Sequence, residues 1–140
     1  MFSQKRFIPF IAGFALFTYT LPGYSQEVIN QSGIQITSSQ IRCTSTKNGT
    51  DNSYISLSLE NTTDKQVTVS FYKQLWYNNN CINCNETSEE YLVQQTLSPY
   101  EKMEGNCTKE NMQLLIFHSM PKHLSKNTLT KHKLIDIQVK

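Results

Sequence analysis

Two cysteines separated by Ile82 and Asn83, Cys81 and Cys84, have the clearest capacity for chemistry in this chain of 140 residues. A Cys-x-x-Cys pair can cycle between dithiol and disulfide when a helix N-terminus or a nearby cation stabilises one thiolate. It can supply half of a tetrahedral zinc site, or it can simply close on itself. The flanks favour closure: asparagines surround the pair, no amphipathic helical pattern follows Cys84, and the remaining cysteines, Cys43 and Cys107, are isolated. An even number of cysteines in a small exported chain reads as a disulfide framework. Pairing Cys81 with Cys84 and Cys43 with Cys107 is favoured over crossed bridges, which would tie one short loop to both distant cysteines. No metal and no other cofactor is expected.

The histidines are His118, His123 and His132. His118-Ser119-Met120 puts an imidazole and a thioether on one side of a strand, a soft donor set that suits Cu(I), with Met103 and Met112 upstream. This stretch resembles the His-x-Met half of the small cupredoxin-like periplasmic copper chaperones, but no His-Met pair stands at the matching distance upstream. His118 and Met120 are therefore alternative copper ligands, set against a core-filling methionine and an exposed loop histidine. Glu86, Glu89 and Glu90 form an acidic cluster, and Lys122, Lys126, Lys131 and Lys133 a basic one. Without a pocket to split carboxylate pKa values, both read as solvated faces of loops and of an edge strand. No Gly-x-Ser-x-Gly, phosphate-binding glycine loop or His-Glu-x-x-His is present, so the chain is not expected to be an enzyme. Trp76-Tyr77 with Tyr72, Tyr91 and Tyr100 offers aromatic surface for a protein or a glycan. A lone tryptophan in a sandwich is expected in the core beside a disulfide, which leaves Tyr72, Tyr77, Tyr91 and Tyr100 as the binding candidates. Asn-x-Ser/Thr sequons stand at Asn30, Asn48, Asn61, Asn85 and Asn106.

The elements that must position these residues follow from composition and periodicity. Lys5 and Arg6 precede an apolar run from Phe7 to Tyr19, followed by Pro22, Gly23 and Ser25, the pattern of a secretory signal peptide over 1–25 cleaved near Ser25. The run is shorter than the roughly 20 apolar residues that span a bilayer, so residues 26–140 are expected as a single secreted or periplasmic domain with no membrane span. The formal charge of the whole chain is +2. Loss of Lys5 and Arg6 would leave the remainder formally neutral, which argues against nucleic-acid partners. Both alanines, Ala12 and Ala15, would also be lost, and the rest prefers strands to helices.

Period-two alternation recurs in short stretches separated by turn clusters. Ile34 and Ile36, then Ile41 and Cys43, suggest a strand broken at Thr37-Ser38-Ser39, followed by a turn with the Asn48-Gly49 dipeptide. Tyr54 to Leu59 and Val67 to Phe71 alternate and look like a hairpin. Asn78 to Asn85 reads as a loop, Tyr91 to Leu97 as a strand, Met112 to Phe117 as a strand buried on both faces, and Leu129 to Val139 as the last strand. About seven short strands without a helical period predict an all-β fold, an antiparallel immunoglobulin-like β-sandwich, with a small β-barrel as the alternative.

The stretch from Leu57 to Phe71, then Trp76-Tyr77 with Cys81-Ile82-Asn83-Cys84-Asn85, then Leu97-Ser98-Pro99 and Gly105-Asn106-Cys107, resembles a group of small exported proteins of Gram-negative bacteria. The likeness covers about residues 33–139, with Trp-Tyr and Cys-x-x-Cys-Asn as its most specific part. It implies an extracytoplasmic sandwich with structural cysteines and no catalytic residues to carry over. The expected role is a binding or envelope-accessory module for a protein or glycan; a periplasmic thiol-redox or copper-handling protein is the alternative.

Overall fold

A computed structural model describes residues 27–108, 110–120 and 126–140. The expected signal peptide, Lys122 and His123 lie outside the described residues. Among the described residues, nine strands form two antiparallel sheets. The first sheet holds β1 (Ile29–Gln31), β2 (Ile34–Ser45), β3 (Thr50–Asn61), β7 (Lys102–Glu104) and β8 (Leu115–Ser119). The order is β1-β2-β3, with β7 and β8 sharing the far edge of β3. The second sheet centres on β4 (Val67–Tyr77), flanked on one side by β9 (Leu129–Val139) and on the other by β6 (Leu92–Leu97) and β5 (Asn80–Cys81). Among the described residues, helical structure is confined to two 3₁₀ turns, Glu89–Tyr91 and Met112–Leu114. This is the all-β antiparallel fold that the alternation predicts. The two short strands β1 and β5 raise the strand number above the expected seven.

Ile34, Ile36, Ile55, Leu57 and Leu59 of the first sheet face Val69, Phe71, Leu75, Val93, Leu97 and Leu129 of the second across one core. Successive side chains of a strand point to opposite faces, so each sheet commits one parity to this layer. At roughly 25 cal/mol per Å² of apolar area, such burial is the dominant favourable contribution to folding. No strand of one sheet pairs with a strand of the other among the described residues; at one seam Gln31 Nε2 donates to Ile137 O at 3.0 Å.

β3 is buried on both faces, and the chain at Gly105 and Cys107 lies against the outer side of its sheet. Ser56 Oγ donates to Gly105 O at 2.7 Å, and the Cys43–Cys107 disulfide pins the same segment. A Cβ on Gly105 would stand 2.7 Å from Leu114 O, so only glycine fits this approach.

Four local expectations change. β2 runs unbroken, and the apparent break at Thr37-Ser38-Ser39 is a change of buried parity: Ile34 and Ile36 face the core, while Ile41 and Cys43 face outward beneath the overlying segment. The hairpin is β2–β3, turning at Asn48-Gly49 with Gly49 at φ +61°. β3 and β4 are not paired; the chain crosses between sheets after Asn61, whose fully buried side chain bonds Lys65 O, Ser98 O, Thr63 N and Thr63 Oγ1 at 2.7–3.0 Å. The Asn78-rich stretch is a hairpin rather than a loop. The apolar run after Asn111 begins as a 3₁₀ turn with Met112 exposed, and only Leu115–Ser119 is strand.

Candidate functional site

Asn78 and Asn79 both adopt left-handed backbone, φ +49° and +66°, which asparagine tolerates better than other non-glycine residues. They turn β4 directly into β5, pairing Tyr77 with Asn80 and Trp76 with Cys81. Ile82 N then donates to Leu75 O at 3.0 Å. Asn83, 4% exposed, uses its side chain as a surrogate strand: Oδ1 accepts from Leu75 N at 2.9 Å, and Nδ2 donates to Lys73 O at 2.6 Å. β6 leaves β4 at Tyr72, so these bonds cover the stretch of edge that β6 does not reach. The Cys81–Cys84 disulfide, with Cα atoms 5.7 Å apart, closes the loop around Asn83. The Cα atoms of Cys43 and Cys107 are 5.5 Å apart, and none of the four cysteines is free. Both bridges are those favoured from the spacing.

The candidate copper ligands sit at the end of β8. His118 Nδ1 lies 2.8 Å from Ser119 Oγ, and burial pushes the His118 imidazole below its ordinary pKa. Met120 is exposed, Met103 packs against the core from β7, and Met112 is exposed on its 3₁₀ turn. Among the described residues, no three His, Cys, Asp or Glu side chains are grouped to hold a metal ion. Glu89 and Glu90 occupy the exposed turn before β6.

The aromatic residues divide by strand parity. Tyr77 points between the sheets, where it stacks on Phe117 with centroids 6.5 Å apart and donates from its hydroxyl to Phe117 O at 2.6 Å; Tyr54 meets the same ring edge-on at 5.8 Å. Burial raises the Tyr77 phenol above its usual pKa. Tyr91 packs against the core, and Tyr100 stands alone and exposed at φ +57°. Tyr72 is half-buried on the outer face of the second sheet.

Trp76 shares that outer face, contrary to its expected place in the core. Val69, Phe71 and Leu75 commit the odd positions of β4 to the interior, so position 76 must point outward. That parity was readable in the sequence and outweighs the general habit of a lone sandwich tryptophan. Lys131 Nζ covers the ring, 5.0 Å from its centroid. Across the same face the register aligns Leu92, Tyr72 and Ile135 in one row, beside Gln74 with Lys133 and Trp76 with Lys131. The four tyrosines therefore do not form one surface; Tyr72 joins Trp76, Leu92 and Ile135, residues that sequence reasoning did not group.

No helix among the described residues is long and apolar enough to cross a membrane. Compared with family models, curated proteins and solved structures, the chain matches none.

Proposed function

We propose that this protein is an exported, non-enzymatic binding module of immunoglobulin-like type, which docks a protein or glycan of the cell envelope on the outer face of its second sheet. The carrying observation is the half-buried row Leu92–Tyr72–Ile135 next to Trp76. The outer face of a two-layer sandwich is ordinarily polar, as it is here at Thr68, Ser70, Thr96 and Gln138. Tyrosine and tryptophan that present large area with few rotors are the usual anchors of an interface. The signal-like 1–25 segment and two disulfides support export to an oxidising compartment. The pairing of β3 with β8 while β4 pairs with β9 supports the immunoglobulin-like assignment, and the Trp76-Tyr77 and Cys81–Cys84 residues support membership of the exported group they resemble. In the Cys81–Cys84 loop the bridge holds Asn83 on β4, a structural task that favours this reading over thiol-redox or copper handling.

Site-specific photocrosslinking in exporting cells tests the proposal. A crosslinker at Tyr72 or Ile135 is expected to capture a discrete envelope component, and Trp76→Ala to abolish that capture without loss of fold. Capture that is equal from Thr44 on the first sheet, or unaffected by Trp76→Ala, would overturn it.

A further inference from the structure

The outer face of the second sheet carries charge as well as aromatic area. From β9, Lys131 stands opposite Trp76 and Lys133 opposite Gln74, both lysines exposed. Lys131 Nζ lies 5.0 Å from the centroid of the Trp76 ring, and on the other side of β4 the register partner of Trp76 is Cys81 of the bridged hairpin. No Asp or Glu occupies a paired position of β4, β6 or β9. Asp136 sits on the β9 bulge beyond Ile135, and Glu89 and Glu90 precede Leu92 of β6, across β4 from the lysines. The Trp76 end of the face is therefore basic. Among the described residues neither lysine has a carboxylate within ion-pairing distance.

We propose that this face binds an acidic glycan, its sugar rings lying on Tyr72 and Trp76 and its uronate carboxylates on Lys131 and Lys133; the inference rests on the docking role given to the face above and names the chemistry of the partner. The apolar side of a sugar ring stacks on an aromatic plane, and tyrosine and tryptophan present such planes with few rotors to freeze. Each lysine is a compact single charge, and a carboxylate set on it makes a charge-assisted bond. Gln74, between the two aromatic residues on the same face, supplies a donor and an acceptor for hydroxyl groups. Tyr72 and Trp76 stand four positions apart on β4, roughly 13 Å, so the site spans several rings rather than one. An acidic peptide fits less well, because an extended peptide gains affinity from main-chain bonds at a sheet edge. β4 is flanked by β6 on one side and by β9 on the other, and this face offers side chains only.

Trp76 is the only tryptophan of the chain, so its fluorescence reads the face directly. The experiment titrates the disulfide-bonded protein with tetragalacturonate, its methyl ester and tetraglutamate. Tetragalacturonate is expected to change the emission saturably. Esterification removes the charge and keeps the rings, and it weakens binding at least about tenfold. Lys131→Gln combined with Lys133→Gln, at exposed positions where substitution spares the fold, lowers affinity by a similar factor and flattens its dependence on salt. Absence of a saturable change, equal affinity for acid and ester, or equal binding of tetraglutamate overturns the proposal. Photocrosslinking from Tyr72 in exporting cells separates the partner's chemistry from the docking role, and capture is expected to fall both in the double lysine variant and in Trp76→Ala. Capture that survives in the lysine variant and is lost in Trp76→Ala overturns the acidic glycan alone, whereas capture indifferent to Trp76→Ala overturns the docking face itself.

Discussion

Replacing Asn83 with alanine isolates the part played by the Cys81–Cys84 loop in holding β4. The side chain satisfies two backbone groups at once, Leu75 N–H and Lys73 C=O, at 2.9 and 2.6 Å, and it is 4% exposed. Loss of two net hydrogen bonds costs about 2 kcal/mol. Leaving both backbone groups buried and unmet raises the figure towards about 6, and water entering at the sheet edge lowers it again. A loss of about 3 kcal/mol is expected, equivalent to a fall in Tm of about 10 °C for a domain of this size.

Urea unfolding with the disulfides intact, read as a lower midpoint at unchanged m-value, measures it. Asn83→Asp provides an internal control. One carboxylate oxygen can still accept from Leu75 N–H, but the other faces Lys73 O with no proton to share. The folded state therefore favours the protonated acid, and this variant regains stability as pH falls through its raised folded pKa. A loss below about 0.5 kcal/mol for Asn83→Ala, or an Asn83→Asp variant that gains nothing on acidification relative to wild type, would refute the surrogate-strand account.

Two further outcomes concern the bridges and the seam. The disulfides differ in sequence separation, 64 against 3, and the chain-entropy model gives about 4 kcal/mol for Cys43–Cys107 and about 1.6 for Cys81–Cys84. Paired serine variants unfolded in urea should preserve that order, and a reversal would refute the entropic assignment. His132 lies on the core side of β9 near Glu27; burial lowers its pKa although Glu27 pulls it up, so the folded state binds its proton less readily than the unfolded chain. Stability therefore falls as pH drops from about 6.5 through the depressed folded value, by linkage. His132→Gln should flatten that acid limb of Tm against pH, the residual slope coming in part from His118, which burial shifts the same way.

Much of the architecture was legible because it depends on local rules. Period-two alternation located β3, β4, β6 and β9, since each strand commits one parity to a shared core. The even set of cysteines at those spacings indicated both bridges, since residues as close as 81 and 84 can close a loop directly. The site was less legible. Tyr72, Leu92 and Ile135 are far apart in the chain, and only the registers of β4 with β6 and β9 bring them into one row. Trp76 faces outward because the buried Val69, Phe71 and Leu75 fix the parity of β4, and that local pattern outweighs the general habit of a lone sandwich tryptophan.

The sequence by itself determined the all-β class and the turn chemistry of Asn48-Gly49, both of which depend on neighbours in the chain, and it favoured the disulfide pairing without fixing it. Only the tertiary structure decided which strands share a sheet. The crossing after Asn61 is set by bonds from one buried amide to residues as far on as Ser98, a partner no local pattern specifies. The same holds for Asn83 and Lys73. One resembles a polar loop residue and the other a surface charge, until pairing of distant segments buries the first on a strand edge and the second at an inward position of β4, bonded to Gln113 O.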